Sequence, residues 1–370
     1  MIKEKTTTQN LSEHGGNIYR IAEEIGIPAE KLIDFSASIN PLGISEKVKD
    51  VIKRELNSLV NYPDPDTKML RHKIAEYHDI DPETIICGNG STELIYLIPR
   101  ALKPKTVLIP TPTFSEYERA CRLSSELRVE SYELKEENSF RIIADEFIST
   151  IEALSFNSQL IFLCNPNNPT GHLLKRDKVL AIAEAARKMK CYLVVDEAFI
   201  DFVPEESVIQ DVQENPYLIV LRSMTKFYAL TGLRIGYGVF HKDSINKIRQ
   251  FKEPWTVNNL AQKTAIAALA DYEYAAKTHE LIKREKEFLE KSFQELNVEY
   301  LPSSVNYYLL KEKNSERIVS GLREKGILVR DCSNFRGLGS SYIRVAVKSR
   351  GDNEMLLREL SDIKSGKERR

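Results

Sequence analysis

LIVLRSMTKFYALTGLRIGYG, residues 218–238, decides the fold. Its opening residues, LIVLRS, are apolar and rich in branched side chains, the composition of a strand buried on both faces. Directly behind this run come two hydroxyls, Ser223 and Thr225, then Lys226 and Arg234, interspersed with Gly232, Gly236 and Gly238. The glycines permit close backbone approach. A cationic, hydroxyl-bearing turn at the carboxyl end of a buried strand is where open α/β sheets hold ligands. A lone lysine is usually a solvated surface group. A lysine set among anion ligands instead suggests a Schiff base to a phosphorylated aldehyde cofactor. A nearby cation lowers the amine's hold on its proton, which helps imine formation.

Working outward, further strands are expected at TIICGN (84–89), TVLIP (106–110), LIFLC (160–164) and YLVVDEA (192–198). Helical patterns alternate with them: STELIYLIPRAL (91–102), a helix from about Phe114, and one over Lys175–Lys188. Strand–helix alternation implies a mostly parallel sheet flanked by helices, an α/β fold. From about Lys242 the pattern changes. A long helical stretch covers about Leu260 to Leu296. It is followed by VNYYLLK, a helix near Ser315–Lys325, ILVRD, YIRVAV and a last helix from Asn353. These form a smaller α+β unit. The division expected is an N-terminal segment, 1–45, packing on the small unit and the site; a large domain, 46–245; and a connecting helix with a small C-terminal domain, 246–370. The first ten residues and KSGKERR (364–370) are polar and expected to fray.

A chain of 370 residues has room for two or three domains at roughly 150 residues each. Hydrophobic residues at 42% and charged residues at 29% exclude a disordered, collagen-like or disulfide-stapled chain. The net charge of −1 and a pI near 6.6 provide no global basic field for nucleic acid or an anionic membrane. No apolar run approaches the ~20 residues of a membrane helix, and MIKEKTTTQN lacks the apolar core of a signal peptide. The five cysteines, Cys87, Cys121, Cys164, Cys191 and Cys332, form no CxxC pair. Buried free thiols in a reduced, cytoplasmic protein, with no metal site, are the expectation.

Other motifs gather around Lys226. Asp196 ends a strand, where a carboxylate is costly unless paired. It is either a structural cap or salt bridge, or the partner of a pyridinium nitrogen that must stay protonated to accept electrons. NPNNPTG (165–171) is turn-forming, and its Asn168 can donate an amide to a phenolic oxygen. CGNGSTELI (87–95) feeds a helix that begins at Ser91 and Thr92, and a helix N-terminus suits a phosphate. Phe114, in PTPTFSEY (110–117), can stack on an aromatic ring.

Taken in order, GNGSTE, PTPTF, NPNNPTG, VVDEAF and SMTKFYALTGLRIGY resemble the fold-type I pyridoxal-phosphate enzymes of the aminotransferase class I/II superfamily, over nearly the whole chain. The resemblance implies a homodimer binding pyridoxal 5'-phosphate. It implies Lys226 as the Schiff-base lysine, Asp196 at the pyridine nitrogen and Asn168 at the phenolic oxygen. The phosphate cup comprises Gly90, Ser91, Thr92, Ser223, Thr225 and Arg234, completed by the partner subunit's Tyr62 from NYPDPD (61–66).

HGGNIYRIAEEIGIP (14–28), LIDFSASINPLG (32–43), EPWTVNNLAQ (253–262), NFRGLG (334–339) and YIRVAV (342–347) resemble the threonine-phosphate decarboxylases of the cobalamin pathway. The substrate implied is L-threonine O-3-phosphate. L-serine O-phosphate differs by one methyl, worth only ~1–3 kcal/mol in an apolar pocket. The competing branch is histidinol-phosphate aminotransferase. That branch carries a tyrosine three residues after the pyridine aspartate, where this chain has Phe199. A non-catalytic cofactor-binding regulator is disfavoured by the presence of Lys226, Asp196 and Asn168 together, and by the lack of a helix-turn-helix extension.

For substrate, Arg344 matches the family's carboxylate arginine, and Arg336 is the candidate for the phosphate. His14, the backbone of Gly15 and Gly16, and the amide of Asn17 can close over the site. Asn40, in SINPLG, matches a substrate-lining stretch of the family, and Asn168 is expected beside it. Blander roles are a helix cap for His14, a surface ion pair for Arg336, and core packing or ligand contact for Trp255.

Overall fold

The computed structural model describes residues 14–124, 126–153 and 159–366. The first ten residues, expected to fray, lie outside the described residues. A seven-stranded sheet forms from Ile85–Asn89 (β1), Thr106–Thr111 (β2), Arg128–Glu133 (β3), Gln159–Cys164 (β4), Tyr192–Asp196 (β5), Leu218–Ser223 (β6) and Ile235–Phe240 (β7). The spatial order is β1-β7-β6-β5-β4-β2-β3. β7 runs antiparallel to both β1 and β6, and the remaining pairs are parallel. Every residue of β4 and β6 is buried, as runs covered by helices on both faces must be.

Two of these strands escape sequence reading. β7 is IGYGVF, and glycine is depleted from strand interiors. Here Gly236 is required: a Cβ would lie 2.3 Å from the Ser91 amide nitrogen and 2.8 Å from the Arg222 carbonyl. Only without a side chain can β7 slide beneath the start of the helix Ser91–Leu102. β3, RVESYE, is a charged edge strand, which blunts further pairing and hides its apolar signal.

The C-terminal third builds an antiparallel four-stranded sheet in the order Arg330–Asp331, Tyr342–Ala346, Tyr307–Lys311, Glu299–Tyr300. The expected single strand ILVRD is split at Val329: Ile327–Leu328 pairs in parallel with Ile33–Asp34 instead. The Ala346 amide also donates to the Phe35 carbonyl at 2.9 Å, so residues 33–35 are woven into the C-terminal part.

The expected helix over 260–296 is two helices, Asn259–Leu269 and Tyr272–Glu295, because Asp271 breaks the run and caps the second. The last helix begins at Arg350, three residues before the expected Asn353, because Ser349 caps it. It takes in Lys364 and Ser365 and stops at Gly366 in the left-handed region, φ 70°. Of KSGKERR, residues 367–370 lie outside the described residues. All five cysteines are buried and free. Among the described residues no helix is long and apolar enough to cross a membrane, and no cluster of metal-ligating side chains occurs.

Candidate active site

The loops after β4, β5 and β6 and the start of helix Ser91–Leu102 converge on one cavity of about 210 Å³. Lys226, Asp196, Asn168, Phe114, Ser91, Thr92, Ser223, Thr225, Arg234, Arg344, His14 and Gly15 all line it. Residues scattered over most of the chain therefore share one wall.

Lys226 sits three residues beyond the end of β6. Burial, then the Arg344 and Arg234 cations, lower its amine from 10.5 to about 8. A substantial neutral fraction near neutral pH is what a nucleophilic amine needs. Asp196 ends β5 with 3% exposure. One carboxylate oxygen accepts from the Tyr117 hydroxyl at 2.7 Å, the other from the Ala198 amide at 3.1 Å. Burial pushes its carboxyl up to about 6. Two neutral donors do not compensate a buried negative charge, so a cation placed in the cavity would gain strongly here.

The cup at the helix start is shaped by Gly90, with φ 76°; a Cβ on Gly90 would lie 2.6 Å from an Arg234 guanidinium nitrogen. Ser223 and Thr225 place their hydroxyl oxygens 2.8 Å apart, and Arg234 is steadied by donating to the Thr231 carbonyl at 3.1 Å. The Asn168 side-chain carbonyl accepts from Arg344, which leaves its amide nitrogen as the end free to donate to a ligand. The Phe114 ring packs edge-on against Tyr117, 5.6 Å between centroids.

Arg330, which sequence reasoning missed, also lines the cavity. It is the cross-strand partner of Arg344, and both are buried. Two cations directly opposite in a sheet repel one another, so an anion placed against both would gain. Arg344 donates to the Ser36 carbonyl at 2.9 Å, yet its Nε is buried without a partner. Arg330 donates to Asn334 at 2.7 Å and lies over the Phe335 ring at 5.1 Å. The sequence signal for it was an arginine in ILVRD paired with one in YIRVAV, legible only once the register is known. Tyr117 and Ser36 were missed too, because PTPTFSEY was read for Phe114 alone and LIDFSASINPLG for Asn40 alone, and a tyrosine or serine by itself marks no site.

Several expected contacts fall elsewhere. Arg336 is exposed and lies 3.6 Å from Glu118, outside the cavity lining, where its guanidinium meets a surface carboxylate instead. Asn40 is fully committed in the core: its amide nitrogen donates to the Phe227 carbonyl and to Thr278, both at 2.7 Å. Asn17 caps the helix Ile18–Ile25 by accepting from the Arg20 amide at 3.3 Å, taking the capping role considered for His14. With Gly16 it lines a smaller adjoining hollow of about 70 Å³ that also includes His14 and Arg330. Trp255 is half-exposed and neither core nor ligand contact: it packs on Tyr62, 5.3 Å between centroids. Tyr62 is 82% exposed and is not among the residues lining this chain's own cavity.

The uncompensated Asp196 carboxylate, the Gly90 cradle and the orphaned Arg344 Nε together fit pyridoxal 5'-phosphate and an anionic substrate. Residues 30–362 match the family model described as aminotransferase class I and II. The chain is 38% identical to the threonine-phosphate decarboxylase of Salmonella typhimurium, over 96% of this chain and 97% of that one. It is 35% identical to histidinol-phosphate aminotransferase 2 of Archaeoglobus fulgidus, over 91% and 94% respectively. The crystal structure of L-threonine-O-3-phosphate decarboxylase from Porphyromonas gingivalis superposes with a TM-score of 0.79 at 29% identity, covering 90% of this chain and 100% of that one. Sheet order, cavity and sequence match agree, and the chain belongs to the class I and II aminotransferase family.

Proposed function

We propose that this protein is a pyridoxal-phosphate-dependent decarboxylase that converts L-threonine O-3-phosphate to (R)-1-aminopropan-2-yl phosphate, a precursor of the corrinoid nucleotide loop in cobalamin biosynthesis. The observation that carries this reading is the buried cross-strand pair Arg330 and Arg344 beside Lys226 in one cavity. Such a pair offers one cation to an α-carboxylate and a second to another anionic group of the substrate. Similarity to the Salmonella decarboxylase favours decarboxylation over amino transfer.

Lys226 would hold the cofactor's aldehyde carbon, Asp196 its ring nitrogen and Asn168 its phenolic oxygen. Ser91, Thr92, Ser223, Thr225 and Arg234 would hold its phosphate, with Phe114 against the ring. Bound there, pyridoxal phosphate supplies an electron sink for the pair released at Cα. Asp196 keeps the ring nitrogen protonated, since a buried carboxylate with only neutral partners gains most from a cationic one. Arg330 takes over the phosphate role first assigned to Arg336. Arg344 and Arg330 would grip the two anionic ends of the substrate and fix its orientation. Held so, the α-carboxylate would be presented to the electron sink that bound pyridoxal phosphate supplies, with no new catalytic group needed. Lys226 Nζ, lowered to about 8, then returns a proton to Cα as general acid.

Two subunits complete the site in this reading: the partner subunit's Tyr62 reaches the cofactor phosphate, which accounts for its exposure here. A reduced, cytoplasmic setting fits five free cysteines.

The test is product analysis with threonine phosphate, serine phosphate and histidinol phosphate, each with and without 2-oxoglutarate. Carbon dioxide release from threonine phosphate without an oxo-acid, with one deuteron at the former Cα in deuterium oxide, is the expected outcome. A keto product formed only when 2-oxoglutarate is added would establish the aminotransferase instead.

A further inference from the structure

Behind His14, and outside the cavity lining, lies a carboxylate that the reaction does not use. Glu116 opens the helix Glu116–Ser124 and is 4% exposed. One of its oxygens meets His14 Nε2 at 2.8 Å. The other accepts from the hydroxyl of Tyr96, on helix Ser91–Leu102, and lies 3.5 Å from Arg119. The hydrogen bond from His14 leads in holding the carboxyl down at about 2, against the opposing effect of burial. An ionised, buried carboxylate demands partners, and His14 reaches it from the other end of the chain's fold.

The residues after His14 are fastened separately. Gly15 passes so close to the Ser36 carbonyl that a Cβ would lie 2.4 Å from that oxygen. The Gly16 amide donates to Ser36 Oγ at 2.8 Å, and the same Ser36 carbonyl accepts from Arg344. Residues 14–16 are thus held at two points, by Glu116 at His14 and by Ser36 at Gly15 and Gly16, along the border of the cavity. His14 and Gly15 border both the main cavity and the smaller hollow, and Arg330 borders both as well. With Nε2 spent on Glu116, the second ring nitrogen of His14 is the one left for a ligand.

We propose that Glu116 is a positioning residue for substrate selection: it clasps residues 14–16 at the border of the cavity so that His14 and Arg330 together enclose the phosphate of the substrate. The clasp rests on the reading that the substrate carries a phosphate, and is independent of which bond at Cα is broken.

The test uses the holoenzyme and its Glu116→Gln, Glu116→Asp and His14→Ala variants, plus the Glu116→Gln/His14→Ala double variant. Glu116→Gln should raise KM for threonine phosphate by roughly tenfold or more, the size of a lost charge-assisted hydrogen bond, and change kcat less. Glu116→Asp should restore part of that loss. The double variant should be no worse than His14→Ala alone, because both changes remove one interaction. Hydrogen exchange of a peptide covering residues 14–17 should quicken in Glu116→Gln while the sheet's peptides keep their protection. Additive effects of the two substitutions, or unchanged exchange at 14–17, would overturn the clasp. If the wild type decarboxylates nothing but transaminates histidinol phosphate, the proposed function falls. The same KM and exchange comparison, made with histidinol phosphate, then decides the clasp separately.

Discussion

At the scale of single residues, the site is governed by two groups whose proton affinities burial has moved. Lys226→Ala is expected to abolish turnover while the fold persists. Borohydride treatment of the wild type with pyridoxal phosphate should fix the cofactor on Lys226, as mass spectrometry of the digest would show; attachment at another lysine would remove it from the mechanism. Asp196 gives a prediction about stability. Its carboxyl is raised from 3.8 to about 6 by burial, so the native state binds its proton more tightly than the unfolded chain does. Cofactor-free protein should therefore lose stability as pH rises from about 4 to 6, by on the order of 3 kcal/mol from this group. Asp196→Asn should flatten that slope in urea titrations and leave the cofactor-free protein more stable near neutral pH, while greatly reducing the rate of the loaded enzyme. A near-normal rate in this variant would deny Asp196 its role.

At the scale of elements, the close passage of β7 under the helix Ser91–Leu102 holds the phosphate cup together. Gly236→Ala should force the two apart, because the new Cβ would meet backbone rather than a flexible side chain. A cost of about 1–3 kcal/mol is expected from such overpacking, read as weaker pyridoxal phosphate affinity in a fluorescence titration. Asn40→Ala should instead lower the melting temperature, through buried groups left without partners at about 1–3 kcal/mol, and leave substrate preference in place. The buried parallel strands β2, β4, β5 and β6 were legible in the sequence from apolar runs such as LIFLC and LIVLRS, whereas the parallel edge strand β3 was hidden by its charges. β7 was not, because its glycines obey a packing demand set by a segment far away in sequence. The break at Asp271 was missed for a related reason: helix periodicity runs through it, and only the cap reveals the stop. In the site, Lys226, Asp196 and Asn168 were legible because each follows a recognisable strand. Arg330 was not, since its meaning depends on standing opposite Arg344. Arg336 was singled out by its place in FRGLG, and a sequence does not tell which way a side chain turns; here it faces Glu118 at the surface.

At the scale of the molecule, the surface near Tyr62 is the feature to test. Leu56, Leu59, Val60 and Tyr62 are all more than half exposed, and Asn259 pins this segment by donating to the carbonyls of Ser58 and Asn61. Large exposed apolar side chains gathered on one segment mark an interaction site. Sedimentation should give twice the 42.4 kDa of one chain. Val60→Asp should shift it toward one chain and weaken cofactor retention with it; a monomeric wild type retaining full activity would refute the shared site. The weave of Ile33–Asp34 with Ile327–Leu328 also orders events in time. As the chain leaves the ribosome, the large sheet has all its strands once β7 is made, yet the pocket still lacks Arg330 and Arg344, and residues 33–35 have nothing to pair with. At typical synthesis rates the remainder takes roughly ten seconds to appear. During that interval Lys226, Ser223, Thr225 and Arg234 are already made while the arginine pair is not, so the groups expected to meet the cofactor's phosphate precede, in time, the groups expected to meet the substrate.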